Sequence, residues 1–391
     1  MATQTIDFSN IETVIKDGVN LTRIELDGTT VWESSTAGLL WIQQGDNIDG
    51  PYENAQLGRV VAISDSKDLI AVTTDERVNF NRPEILIFAY SGAYWYLYDT
   101  ISYLGFEDSR FYDMKFVGTD LYYVHANNPT SSNKSHSLYI YDTVTRTTTG
   151  GLVGTNIANL STSPDGNIAY MYQKGGGITR KIEITNQNIH NIDDEYNSFK
   201  SRIAVSNSGV VAFSDSSVTR DDNTFAGEVR VYDAQGIQKG SFLQGTESNA
   251  KFGAPLAISA NGDRLAVAAA DYVLLYDYDG SDWIQHTPAI TYTFGGETSP
   301  ANIWRLAANS DLTKMSIVFN LPADNIRSAV SYEYNGSSHS MIGQALLDSS
   351  NDLDRFDTIS LSSDGEALVI GDYTDDSSGN NAGSAAVYAL S

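Results

Sequence analysis

One phrase recurs along this chain and limits what the chain can become. It is an apolar triplet, a serine, a polar turn that often holds Asp-Gly or Asn-Gly, and then a small apolar run. It reads Val61-Ala62-Ile63-Ser64 then Leu69-Ile70-Ala71-Val72, Leu160-Ser161-Thr162-Ser163 then Ile168-Ala169-Tyr170, and Ile203-Ala204-Val205-Ser206 then Val210-Val211-Ala212-Phe213. Later copies are Leu256-Ala257-Ile258-Ser259 then Leu265-Ala266-Val267, Leu306-Ala307-Ala308-Asn309 then Met315-Ser316-Ile317-Val318, and Ile359-Ser360-Leu361-Ser362 then Ala367-Leu368-Val369-Ile370. Each predicts two antiparallel strands joined by a short turn, where Gly or Asn supplies the positive φ. The step from Ser64 to Ser163 is 99 residues, about twice the others, and a degenerate copy fills it: Met114-Lys115-Phe116-Val117 then Leu121-Tyr122-Tyr123-Val124. The pattern therefore has seven units of roughly 50 residues, a propeller-like period.

A second strand pair follows the first. It is seen in Ile85-Leu86-Ile87-Phe88, Leu138-Tyr139-Ile140-Tyr141, Val229-Arg230-Val231-Tyr232, Val273-Leu274-Leu275-Tyr276, Ala329-Val330-Ser331-Tyr332 and Ala386-Val387-Tyr388, with Lys181-Ile182-Glu183-Ile184 as the divergent third unit. In two units a turn then leads to a tryptophan, Trp95 after Phe88 and Trp283 after Tyr276. Four strands per unit make a propeller blade. The last unit stops at Ser391, short of a fourth strand, while Trp41-Ile42-Gln43-Gln44 echoes Trp283-Ile284-Gln285-His286. The expectation is an all-β, seven-bladed propeller over residues 37–391, closed by an N-terminal strand, because an open ring would leave two strand edges free to pair elsewhere. A small β-meander over residues 1–36 precedes it.

Composition narrows the function. The 391 residues include no cysteine, so disulfides, thiolate metal ligands and a cysteine nucleophile are excluded. With 24 Lys plus Arg against 49 Asp plus Glu, the net charge is −25 and the basic residues are scattered, which disfavours nucleic acid and anionic membrane surfaces as partners. Gly (32) and Tyr (23) are abundant and charged residues are only 19%, a balance that suits strands and tight turns. Met1 to Asn10 is polar and shows no signal-peptide pattern, and no apolar run approaches a membrane span.

The segments Phe252-Gly253-Ala254-Pro255-Leu256-Ala257-Ile258-Ser259-Ala260-Asn261-Gly262-Asp263-Arg264-Leu265-Ala266-Val267 and Asn380-Asn381-Ala382-Gly383-Ser384-Ala385-Ala386-Val387-Tyr388 resemble FG-GAP-type repeats. In that family an Asp/Asn-rich loop between the second and third strands can bind calcium. The resemblance implies candidate ligands Asp372, Asp375, Asp376 and Asn380, and in the fourth unit Asp215, Asp221, Asp222 and Asn223. Neither loop has the alternating Asp-x-Asp-x-Asp-Gly order, so a solvated acidic loop and a weak Ca2+ site both remain open. No other cofactor is expected.

Residues 11–32 hold two Asp-Gly turns between three β-prone runs, too short to fold alone, so this piece should dock through Val14, Leu21, Ile24, Leu26 and Trp32. It either packs on its own propeller or reaches another protein. The phrase Asp27-Gly28-Thr29-Thr30-Val31-Trp32-Glu33 resembles N-terminal segments of bacteriophage tail and other virion proteins. That resemblance implies a virion structural protein, made in a host cytoplasm, anchored by residues 1–36 to other virion proteins and displaying the propeller toward a host-surface glycan or protein.

The five histidines, His125, His136, His190, His286 and His339, stand singly. No Gly-x-Ser-x-Gly elbow, phosphate-cradling loop or sialidase Asp box is present, which argues against an enzyme, although a glycoside-cleaving carboxylate pair is invisible at this stage. The candidate contact residues are Tyr90, Tyr94, Trp95 and Tyr96, since rigid amphipathic rings give large contact area at low entropic cost. The alternative to a virion protein is an intracellular protein-binding propeller scaffold, with a propeller glycoside hydrolase third.

Overall fold

The computed structural model describes the backbone of residues 14–16, 19–21, 23–26 and 29–33 and most of 39–391. Outside the description lie 76–82, 103–109, 128–134, 156, 174–177, 184–187, 193–201, 220–224, 287, 292–301, 321–326, 337 and 348–355, together with the side chains of some strand residues. No helix occurs among the described residues. The chain forms a seven-bladed β-propeller of antiparallel blades, as the repeat predicts. The innermost strands are Val61–Ile63, Arg110–Val117, Ile157–Thr162, Arg202–Val205, Leu256–Ile258, Asn302–Ala308 and Thr358–Leu361, one for each of blades 1 to 7. Blades 1 to 6 each add three sequential strands outward.

Blade 7 is completed from the other end of the chain. Ser384–Leu390 pairs with Trp41–Gln43 in the register Tyr388↔Gln43, Ala389↔Ile42 and Leu390↔Trp41, and Ile48–Asp49 pairs with its other end. Two backbone bonds between Leu40 and Ser391, 2.8 and 3.0 Å, extend the seam. Trp41 is buried at the interface of blades 6 and 7 with Val318, Ala329, Leu346, Leu368 and Ile370. Its backbone is clamped by Gln344, whose Oε1 accepts from Trp41 N (2.9 Å) and whose Nε2 donates to Trp41 O (2.7 Å).

The core is distributed. Seven buried clusters fill the seven blade interfaces, from Ile63, Val72, Ala367 and Val387 between blades 7 and 1 to Ala266, Ile317 and Phe319 between blades 5 and 6. Small alternating residues such as Ala71, Ala212 and Ala266 let flat sheets approach face to face, and the larger Ile and Val fill between them.

The recurring serine has a structural task. Ser64, Ser163, Ser206, Ser259 and Ser362 are buried, and each Oγ accepts the N–H that opens the second strand, at 2.9 to 3.1 Å. Asn309 does the same with its side-chain oxygen at 2.9 Å. Three of these hydroxyls also donate to the residue two positions on, Asp165, Asn261 or Asp364, each at 2.6 Å. A hydroxyl that both accepts and donates closes a turn that backbone groups alone would leave unsatisfied. Neighbouring turns then hold one another around one face of the ring, through Asp165 N to Asn207 Oδ1 (2.8 Å), Ala260 N to Ser310 O (2.6 Å), and Lys67 Nζ to Asp364 (2.6 Å).

The N-terminal piece differs from a meander. Val14–Lys16 pairs with Val19–Leu21 and Arg23–Leu26 pairs with Thr29–Glu33, but the two hairpins form separate two-stranded sheets. The single residue between Leu21 and Arg23 is too short a connection to turn the chain back into a third antiparallel pairing.

Candidate functional site

The inner strands enclose an axial channel. Its cavity, about 300 Å³, is walled by the inner strands of all seven blades and contains Asp65, Asp113, Lys115, Ser161, Ser310 and Ser360. Most of the wall is apolar or hydroxyl-bearing, so the charged groups decide its chemistry.

Asp113 and Lys115 sit two apart on the inner strand of blade 2. Both line the cavity, and the encircling blades withdraw them from bulk solvent. That burial lifts the Asp113 carboxyl to about 6, against the opposing pull of the Met114 amide, Lys115 and Arg202. Burial also lowers Lys115 to about 8, and Asp113, Asp65 and Asp165 oppose the shift.

Beyond this pair the inner strands open into an entrance rich in arginine. Arg202 begins the inner strand of blade 4, and Arg305 stands beside a register shift in the inner strand of blade 6. Burial lowers Arg202, offset by Asp113. Arg305 is lowered to about 10, first by burial and then by the charge of Arg202. Residues of blades 2, 4 and 6 can influence one another in this way only by converging on the axis. Trp304 lies at the same shift, 41% exposed, with the Arg305 guanidinium 4.8 Å and the Arg327 guanidinium 4.2 Å from its ring. Arg327 is buried and ion-paired with Asp357 of blade 7. Arg59 of blade 1 pairs with Asp75 at 3.0 Å and lies over Tyr373 at 4.8 Å.

The four aromatic candidates do come together, on the outer hairpin of blade 1, and they divide by role. Tyr90 packs on Trp95 with ring centres 4.9 Å apart, and the Trp95 indole donates to Gln44 O at 2.7 Å, strapping blade 1 to the closing segment. Tyr94 and Tyr96, 60% and 45% exposed, meet edge to face at 6.4 Å and form the outward patch.

In the last unit's acidic loop each carboxylate serves its own backbone. Asp372 accepts from Thr374 N (2.9 Å), Asp375 from Ser377 N (2.7 Å) and Asp376 from Asn381 N (2.5 Å), while Asn380 is exposed. Among the described residues no group of three or more His, Cys, Asp or Glu is placed to hold a metal ion. Asp215 likewise accepts from Ser217 N at 2.9 Å, and Asp221, Asp222 and Asn223 lie outside the described residues. Of the docking residues, Val14 pairs with Leu21 and Ile24 with Trp32 across their hairpins, and Leu26 pairs with Thr29; their side chains lie outside the description.

Sequence reasoning missed the entrance residues Arg202, Trp304, Arg305 and Arg327. One signal was available: Lys115 stands where the other copies of the phrase carry small residues, Ala62, Ser161, Ala204, Ala257, Ala307 and Ser360.

No protein-family model and no curated protein matches the chain. Solved propellers do resemble it. Raptor of Chaetomium thermophilum superposes with a TM-score of 0.57 at 11% identity over 90% of this chain, which spans 29% of that structure. The C-terminal WD40 domain of Sif2 gives 0.53 at 9% identity, covering 90% of this chain and 99% of the other. Atg21, in a complex whose title names the coiled-coil of Atg16, gives 0.50 at 13%, covering 80% and 93%. At these identities the likeness shows the fold. No helix of the described residues is long and apolar enough to cross a membrane.

Proposed function

We propose that this chain is a protein-binding scaffold with no catalysis of its own, and that it receives a partner polypeptide at the arginine-rich entrance of its channel. The observation that carries the reading is the gathering of Trp304, Arg305 and Arg327 on blade 6, with both guanidinium groups against the exposed indole, in a chain of net charge −25. Arginine and tryptophan are the side chains that most often anchor protein interfaces. The fold-level likeness to Atg21, solved with a partner coiled-coil, and to a WD40 domain supports the same class. Residue-specific cross-linking from position 304 of the full chain tests it. A polypeptide cross-linked reproducibly at the entrance agrees with the reading, and the absence of any protein partner at every labelled surface position contradicts it.

A narrower version makes the scaffold a virion component held by residues 1–36. It draws on the resemblance of the phrase ending at Glu33 and on the pairing of residues 14–33 among themselves. Chain lacking residues 1–36 should then fail to enter particles, and normal incorporation would end this version.

A further inference from the structure

We infer that the axial channel is a covalent binding site for a small uncharged aldehyde, which condenses with the Lys115 amine to form an imine. This goes beyond the scaffold reading and does not depend on it, since it concerns the channel wall and not Trp304 or the arginines beside it.

Strand register isolates this lysine. At its position the other six inner strands carry Ala62, Ser161, Ala204, Ala257, Ala307 and Ser360, so one long side chain stands in a layer of methyl and hydroxymethyl groups. Lys115 and five of those six small residues line the cavity, which leaves open space around the amine. The turns that follow the inner strands, 64–68, 117–120, 163–167, 206–209, 259–263, 309–313 and 362–366, are all described with their side chains. From them Asp65, Pro164, Ser310 and Ser363 join the cavity wall, and Lys115 is the one basic residue among the described lining residues. Other lysines are held by carboxylates: Lys67 and Lys239 at 2.6 Å, Lys181 at 3.7 Å and Lys314 at 3.9 Å. The Lys115 amine has no ion pair or hydrogen bond among the described residues. Alternate residues of a strand share a face, so Asp113, about 7 Å back along the same strand, points into the channel too. It lines the same cavity.

An unpaired amine beside a carboxyl is the equipment imine formation needs. Burial, opposed by Asp113, Asp65 and Asp165, lowers Lys115 to about 8, so a share of it is the free, nucleophilic amine near neutral pH. Burial lifts Asp113 to about 6, where a carboxyl both gives and takes protons. Lys115 Nζ adds to the carbonyl carbon, and one nitrogen proton moves to the oxygen to give the carbinolamine. Asp113, directly or through one water, protonates that hydroxyl, which leaves as water while the nitrogen lone pair forms the C=N bond. The remaining nitrogen proton returns to Asp113, so the carboxyl ends as it began and no oxidant or reductant is consumed. The cavity of about 300 Å³ lies at the small end of ligand sites, which limits the aldehyde to a single ring or a short chain. Asp65 and Asp113 in the wall repel anionic carbonyl compounds, which sets the preference for an uncharged one.

The test treats the full folded chain with limiting benzaldehyde, traps the imine with cyanoborohydride and measures by peptide mass spectrometry how fast each of the ten lysines is labelled. Lys115 should be labelled about tenfold faster than Lys67 or Lys239, in line with its lowered proton affinity and free amine. Urea-unfolded chain should lose that preference. D113N should slow labelling at Lys115 several-fold while leaving Lys67 and the melting temperature unchanged, and 4-carboxybenzaldehyde should label Lys115 more slowly than benzaldehyde does. Even labelling of all lysines, or slower labelling of Lys115 than of Lys67, overturns the inference. Equal rates with D113N would remove Asp113 from the chemistry, and equal rates with the two aldehydes would overturn the preference for an uncharged ligand. A protein cross-linked at position 304 in a chain whose Lys115 resists benzaldehyde would sink this inference alone and leave the scaffold reading standing.

Discussion

The outer strand of blade 5 and the closing strand of blade 7 use the same three residues, Trp-Ile-Gln, with the same pattern of one buried and two exposed positions. The difference lies in what each tryptophan holds. Trp283 follows its blade directly in sequence, and its indole donates to Lys239 O of blade 4 at 2.7 Å. Trp95 does the corresponding job between blades 1 and 7. Trp41, more than 300 residues from its blade, buries an indole N–H that has no hydrogen-bond partner among the described residues and relies instead on packing and on the Gln344 clamp. A tether by hydrogen bond serves where the chain already delivers the strand. Where a distant segment must be recruited, backbone pairing and a deep apolar socket do the work.

Breaking the two tryptophans should separate these roles. Trp41→Ala is expected to cost about 3–5 kcal/mol and to expose the Ser384–Leu390 amides to hydrogen exchange, because the loss of packing also frees a strand edge. Trp283→Ala should leave those amides protected. Equal exchange at the seam in both variants would show that the closing strand is no special point. Gly343 faces the same socket at φ +67°, and a Cβ there would meet Trp41 Cδ1 at 2.5 Å. Gly343→Ala should therefore cost about 1–3 kcal/mol in denaturant titration, whereas a neutral result would place Trp41 elsewhere.

The blade 5–6 contact can be weakened by acid. His286 Nδ1 lies 3.0 Å from Tyr334 Oη, and Tyr334 stacks on His339 at 4.8 Å. Burial, with the charges of His286 and Arg264, lowers His339 to about 4. The folded chain keeps His339 neutral where an unfolded chain protonates near 6.5. Its stability contribution is therefore full above pH 6.5 and lost as pH falls toward 4, on the order of 1–2 kcal/mol after allowance for partial exposure. A chain carrying His339→Gln should show a correspondingly flatter stability profile over that window, and an unchanged profile would contradict the assignment. The smallest effect concerns the indole N–H alone. Trp283→Phe loses a hydrogen bond worth about 1 kcal/mol, whereas Trp41→Phe removes an unpaired buried donor and should cost less.

Much of this architecture was legible because each blade repeats its own instructions. The alternating small and branched residues after Ser64, Ser259 and Ser362 state strand, turn and burial together, and the Trp41 echo of Trp283 gave away the closure. The marker serine was visible as a regularity, but its hydrogen bonds to the second strand needed coordinates. The channel entrance was hidden for a physical reason. Asp113, Arg202 and Arg305 are about 90 to 100 residues apart in sequence and meet only because blades 2, 4 and 6 face one axis, and register shifts after Phe111 and Ile303 alter which side chains turn inward. The blade 1 aromatic cluster was readable as a cluster, yet Trp95 could be recognised as a strap only once Gln44 O was seen beneath it.

Paired truncations test the closed ring most directly. Removing residues 1–37 leaves Trp41–Gln43 in place, and removing residues 1–44 takes it away. The account predicts that the first chain melts as the full chain does, in one cooperative transition, while the second melts at least 10 °C lower, loses protection along Ser384–Leu390 and self-associates through the opened edge. Identical melting of the two truncations would contradict closure by the N-terminal strand.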